Sequence, residues 1–422
     1  MRTLLISGVA LSIAGLVAVG SSEQEQPPAD WPQWGGPTRD FQAPTARVTV
    51  EWPADGPRRV WTRSLGEGYS AIAVVGDTLY TMVREGDHEV VVALDEATGA
   101  TRWEHRYPAP WFDGMNSEQG PGPHATALVH RGRVYAAGAT GILHALEAVS
   151  GRVLWRHRLI EDLGGSVVGR GYSSSPLAHG DRVVVQVGGD GQAVMAFDAA
   201  DGRSIWQGGS FENGNSSPIL VRVDGEDQVV ALGSGEVIGL DAGTGDTRWR
   251  HPHPHRFGDN IPTPVWGDGL LFVTSYADGG SRVLALSRPD GRVQVDERWH
   301  HTRLRVYYTN VLRVGDVVYG SSGDLGPTVF TAANVHTGEV LWQSREVGRS
   351  SGVAVRGRLL LRDDEGRLLV VDPTGTGPTV LASARVLEPG PPTPPTVRGS
   401  RVYLRDRRTL TVLDLRDEPR RP

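Results

Sequence analysis

Three histidines at alternate positions, His251, His253 and His255 in H-P-H-P-H, are the densest set of potential metal ligands in the chain. Alternate side chains of an extended segment face one side, and the intervening prolines hold the segment extended. Three imidazoles so placed could meet a Cu²⁺ or Zn²⁺ ion. The plainer expectation is solvated loop histidines, because no carboxylate is spaced to orient the rings. A metal therefore stays unassigned, with these three as the candidates. A hard cation would instead draw on Asp259 with Asn260, Asn215 with Glu212, and Glu118. A Ser-His-Asp hydrolase is not indicated, since no G-x-S-x-G elbow stands at a strand–helix turn.

Two absences narrow the chemistry further. The 422 residues contain no Cys, which removes disulfides, thiolate metal sites and a Cys nucleophile. All 43 basic residues are Arg, so there is no P-loop Lys, Schiff-base Lys or Ser-Lys dyad. A net charge of -6 is modest for this length and implies no nucleic-acid partner.

The elements that must position these groups are short strands. Residues 90–103 read V-V-V-A-L-D-E-A-T-G-A-T-R-W. The pattern is a β-hairpin: alternating apolar positions, a turn in which Gly99 supplies positive φ and Asp95 bonds the turn backbone, then a strand ending on Trp103. The hairpin recurs with endings at Trp155, Trp206, Trp249, Trp299 and Trp342, the copy before Trp299 being looser. Two degenerate copies follow near Asp372 and Asp414. Strand-rich repeats of roughly 40 to 50 residues mean a propeller or solenoid.

Eight three-strand cores can be counted between residues 71 and 414. The last, at 396–414, lacks its Trp strand, whereas residues 58–65, R-R-V-W-T-R-S-L, look like such a strand without the three that should precede it. Joining the two fragments closes a ring and removes exposed sheet edges. The expected fold is therefore all-β: an eight-bladed β-propeller with four-stranded blades and N-/C-terminal strand closure, spanning 58–415 as one domain.

In such a ring the loops entering each innermost strand surround a central funnel. Here those loops rhyme in Ser, Thr and Pro, which can start a strand and satisfy its first backbone groups. They also carry Tyr69, His124, Tyr172, Asn215, Asn260, Tyr308 and Asn310, which would converge as a polar, aromatic pocket for a small polar ligand or a peptide segment. Residues 111–123 form the longest irregular insertion, a candidate lid or partner-docking loop.

The termini add context. Residues 1–20 read as a secretory signal, with an uncleaved membrane anchor as the alternative, which places the remainder in the periplasm or outside the cell. Residues 21–57 are a leader containing W-P-Q-W-G-G-P-T-R-D, whose two Trp are expected to pack on the propeller surface. Residues 416–422 are a polar tail.

The repeat A-x-D-x-x-T-G-x-x-x-W resembles the tryptophan-docking motif of the pyrroloquinoline-quinone-like (PQQ-like) β-propellers, over about residue 31 to the C-terminus. The resemblance implies that Trp103, Trp155, Trp206, Trp249, Trp299 and Trp342 stack between neighbouring blades on the Thr-Gly turns, with Trp61 serving the last blade. It implies two functional branches. One is non-catalytic, BamB-like, and would make this a monomeric binding or scaffold protein with a protein partner and no cofactor. The other holds dehydrogenases with PQQ and Ca²⁺ in the funnel, oxidising alcohols or sugars. The first fits the length and the missing Cys pair better, although BamB itself is a lipoprotein and this chain has no Cys to lipidate.

Overall fold

In the computed structural model the described residues are 29–416, without 54, 112–114, 117–119, 167–168 and 325. The expected signal segment and polar tail therefore lie almost wholly outside the described residues, as does Glu118. The rest forms eight four-stranded antiparallel sheets around one axis. Blades 1 to 8 run 73–108, 128–158, 177–211, 219–252, 265–301, 312–344, 350–385 and 396–414. The strand Arg58–Ser64 completes blade 8 by pairing with Thr409–Asp414, from Arg58 opposite Asp414 to Ser64 opposite Thr409.

Each turn before an outermost strand is built as its sequence suggests. The Asp95 carboxylate accepts the Thr98 amide at 3.0 Å, and Gly99 has φ 72°. Asp198, Asp241 and Asn334 hold the corresponding turns in blades 3, 4 and 6. Burying the apolar rows of both sheet faces between blades is the dominant stabilising contribution.

Five indoles dock on the next blade. Trp61, Trp103, Trp155, Trp206 and Trp299 donate to the carbonyls of Glu96, Ala148, Ala199, Ala242 and Val335 at 2.9 to 3.4 Å. Each ring lies against a turn glycine: Gly99, Gly151, Gly202, Gly245 and Gly338 in turn. Trp249 and Trp342 depart from the expected pattern. The turn following Trp249 is the 3-10 segment Pro289–Gly291, whose Gly291 has open space around it, so the indole donates within its own blade to Gln228 Oε1 at 2.8 Å. Trp342 packs beside Tyr319 and Phe330 of its own blade, and Gly375 in the degenerate turn beyond it is likewise open.

Ring closure has its own clasp. Glu96, in the first turn of blade 1, receives the Tyr403 hydroxyl at 2.6 Å and pairs with Arg401, while its carbonyl takes Trp61. Glu96 is 7% exposed, so removing its carboxylate leaves the buried Tyr403 hydroxyl without its acceptor and the half-buried Arg401 without its ion pair. Glu96→Ala should therefore destabilise the fold by about 2 to 3 kcal/mol in urea unfolding. A loss no larger than that of an exposed substitution would show that the clasp is incidental.

Within the leader, residues 31–43 do not lie on the outer surface. They enter the central channel and run against the inner edges of the blades. Trp31 forms an antiparallel bridge with Val74 of blade 1, and Gln42 a parallel bridge with Ala354 of blade 7. The Pro32 carbonyl accepts from Val129 of blade 2, Trp34 donates to Thr263 Oγ1 just before blade 5, and Gln42 Nε2 donates to the Arg313 carbonyl of blade 6. Residues 31–43 thus plug the channel. Innermost strands otherwise have a free edge there, and the plug pairs part of it.

Candidate functional site: a blind cup above the plug

Above the plug, the strand-entry loops enclose a cavity of about 180 Å³ with Trp34 in its wall. Tyr69, His124, Asn215 and Tyr308 line it, as the sequence suggests. So do Arg170, Arg349, Ser173, Ser175, Ser217, Ile261, Thr263 and residues 391–394. Asn116 and Gly120 bring the 111–123 insertion to the rim.

Tyr172, Asn260 and Asn310 are not in the wall. Tyr172 is buried between blades 2 and 3, its hydroxyl on the Val187 carbonyl at 2.7 Å. Asn260 donates to the Gly233 carbonyl at 2.7 Å. Asn310 clamps both backbone groups of Gly352 in blade 7. The immediate neighbours Ser173 and Ile261 take the wall positions, because successive side chains of extended backbone alternate in direction.

Three of the rhyming hydroxyls serve the adjacent blade, whereas those of Ser70 and Ser350 bond carbonyls of their own loops. Ala71 N donates to Thr126 Oγ1, Thr126 N to Ser175 Oγ, and Ser175 N to Ser217 Oγ, at 3.0 to 3.2 Å. This relay ties successive blades at the height of the cup and fixes its diameter.

One wall carries a hydrogen-bonded polar group. Asn215 Nδ2 donates to Asp259 Oδ1 at 2.5 Å, the Tyr307 hydroxyl donates to Asp259 Oδ2 at 2.9 Å, and Arg170 Nε lies 3.9 Å from the same oxygen. Arg170 also donates to the Tyr308 hydroxyl at 3.3 Å. Opposite, Tyr69 and His124 stack with centroids 5.7 Å apart. Burial, then the Arg170, Arg405 and Arg84 guanidinium groups, push the His124 imidazole down to about 4, so it is neutral at pH 7.

The three alternate histidines do not converge. His251 reaches the Pro252 carbonyl and lies 3.4 Å from Glu297. His253 is fully buried, with Nε2 on Ser275 Oγ and Nδ1 accepting from Arg282 Nε. His255 Nδ1 accepts the amides of Phe257 and Asp259. Among the described residues no group of three His, Cys, Asp or Glu is gathered as metal ligands.

Buried neutral imidazoles make stability depend on pH. Burial, then His105 and Arg156, push His144 down to about 3, and burial and Arg282 hold His253 well below the ordinary value. Both folded values are below the unfolded one, so the unfolded chain takes up protons first. Stability present above about pH 6.5 should fall as pH drops, by at most about 1.4 kcal/mol per pH unit per histidine. His144→Gln should flatten the profile measured by urea unfolding between about pH 7 and 5; an unchanged slope would contradict this assignment.

The sequence pattern of the family described as "Outer membrane protein assembly factor BamB" matches residues 87–344, more than half of the chain. The chain belongs to this family. BamB of Yersinia pestis is 26% identical over 272 residues, covering 60% of this chain and 64% of that protein. A 1-butanol dehydrogenase (quinone) from Thauera butanivorans is 28% identical over 201 residues, covering 41% and 31%. The chain spans less than two thirds of the length of either relative. The crystal structure of BamB from Moraxella catarrhalis superposes with a TM-score of 0.60 at 21% identity, covering 86% of this chain and 99% of that one. At that identity the superposition shows the shared propeller fold.

Proposed function

We propose that this chain is a non-catalytic binding propeller of the BamB kind, working in the periplasm or outside the cell, with the funnel face and the 111–123 insertion as its partner surface. The observation that carries this reading is the chemistry of the cup. Among the described residues no carboxylate lines it. Asp259, behind the wall residue Asn215, has one oxygen bonded to Asn215 and the other to Tyr307. A Ca²⁺ ion takes roughly six to eight oxygen ligands, and a dehydrogenase base needs a carboxylate free to accept a proton. Among the described residues the cup wall thus offers few of the ligands that a Ca²⁺–quinone centre needs, which supports the binding reading.

The dehydrogenase reading has one observation on its side: an indole, an Asn, an Arg and an Asp stand together at the cup, and a quinone-dependent relative matches part of the chain. Two measurements separate the readings. Affinity capture with the purified chain should recover outer-membrane assembly components, and recovering none of them would count against the BamB kind of role. The chain mixed with PQQ and Ca²⁺ should not reduce an acceptor dye with alcohols or aldoses. Turnover there would replace the binding reading.

A further inference from the structure

Around the cup stand two buried guanidinium groups and one half-buried one, hydrogen-bonded to carbonyl and hydroxyl oxygens. Arg405, 1% exposed, donates to the carbonyls of Ser70 and Met82 and to Thr81 Oγ1 at 2.7 to 3.1 Å. Arg362, fully buried, donates to the carbonyls of Gly390 and Glu388. Arg349, in the cup wall, donates through Nη2 to the carbonyls of Asp324 and Gly326. Carbonyl dipoles hold these groups in place without cancelling their charge. Asp406, Asp363 and Asp364 act on Arg362 through space, Asp406 also on Arg405, and Arg349 acts on Asp324. The cations that line the cavity itself are Arg349 and Arg170, in a wall with no carboxylate among the described residues. These two are what an anion entering the cup would meet.

The wall specifies the rest of the occupant. Trp34, Ile261 and Pro391 to Pro394 give it a flat, apolar side. The Thr393 hydroxyl is buried there without a partner. The plug closes the channel beneath, so a ligand enters from the loop side alone. A cavity of about 180 Å³ is below the range of roughly 300 to 1,000 Å³ usual for drug-sized ligands. It suits a body of about one ring.

We propose that the cup binds a small organic carboxylate, its charged group at Arg349 and Arg170 and its flat apolar body on Trp34 and the proline wall. This deepens the reading of the funnel as a binding site and rests on it. The neutral state of His124 suits the role, since the ring can accept or donate one hydrogen bond without adding charge.

The test is calorimetric titration of the full chain with benzoate, with benzamide as its neutral shape-match and sulfate as a bodiless anion. Benzoate is expected to bind at millimolar concentration or below, and benzamide at least about tenfold more weakly, as for loss of one charge-assisted contact. Arg349→Gln should weaken benzoate by a similar factor while thermal unfolding without ligand changes little. If that variant does not fold, Arg170→Gln is read in the same way. No heat with benzoate, equal binding of benzamide, or sulfate binding as tightly as benzoate would overturn the proposal. The titration needs no partner protein, so its failure and a failed affinity capture are separate results.

Discussion

Arg39→Ala is expected to lower the unfolding free energy by about 3 kcal/mol and to make residues 30–46 sensitive to protease. The guanidinium is 4% exposed, and it donates to the Pro176 carbonyl at 2.7 Å and the Ser175 carbonyl at 3.0 Å. A third bond, at 3.3 Å, reaches Gln33 within the plug. Truncation leaves two buried carbonyls without a donor, at about 1 to 3 kcal/mol each. Burial also pushes the guanidinium down to about 9, since no carboxylate stands among the causes that act on it. Arg39→Lys should rescue little, because an ammonium cannot span both carbonyls as a planar fork does. The readouts are urea unfolding and limited proteolysis. A loss below about 1 kcal/mol with an intact plug would mean that the other contacts of residues 31–43 suffice. The consequence reaches the cup: Trp34 is held by the same segment, so a loosened plug should weaken benzoate binding even though Arg39 is not in the wall.

The second large effect separates turn glycines that carry an indole from those that do not. Gly151 has φ 71°, and a Cβ there would stand 2.5 Å from the Trp103 ring. Gly151→Ala therefore adds left-handed backbone strain of roughly 1 to 2 kcal/mol to an overpacking cost of roughly 1 to 3 kcal/mol. The total expected is about 3 kcal/mol. Gly291, with φ 79° and open space around it, should show the backbone part alone when replaced by Ala. Gly99, Gly202, Gly245 and Gly338 should follow Gly151, whereas Gly375 should follow Gly291. Equal losses at Gly151 and Gly291, measured by denaturant unfolding, would remove the docking account.

These contrasts mark where the sequence is legible. The hairpin repeat carries its own turn chemistry: an Asp or Asn that bonds the turn backbone, a glycine with positive φ, and a Trp at fixed distance. All are local, so they can be counted from the chain. The missing Trp strand at 396–414 and the surplus one at 58–65 could be joined because an open ring would leave sheet edges unpaired. Docking of Trp249 was not legible, because it depends on the shape of the next turn, Pro289–Gly291, and not on the Trp itself. Residues 31–43 give no periodic signal either. Apart from Trp34 on the Thr263 hydroxyl, the contacts described go to backbone atoms of distant blades, which any sequence would present.

The cup shows the same division one residue at a time. The rhyming loops identified the height at which the wall forms. They did not say which of two neighbours faces inward, so Tyr172 and Asn260 turned out to be packing and clamping groups while Ser173 and Ile261 line the cavity. A slip of one position on extended backbone reverses the face. Arg349 opens one of those loops, directly before the strand Ser350–Val355, and Arg170 stands just before another, but nothing in the repeat marked either side chain as facing the cavity.

The chain by itself determined the eight blades, the four-stranded sheets, the shared last blade and most of the indole docking, because these follow from local turn geometry repeated in register. Tertiary structure alone decided that residues 31–43 fill the channel, that the funnel ends in a blind cup over Trp34, and that Arg170 and Arg349 stand in its wall. Those features arise where segments far apart in sequence meet, and their energies lie in carbonyl contacts and burial that no single stretch of residues encodes.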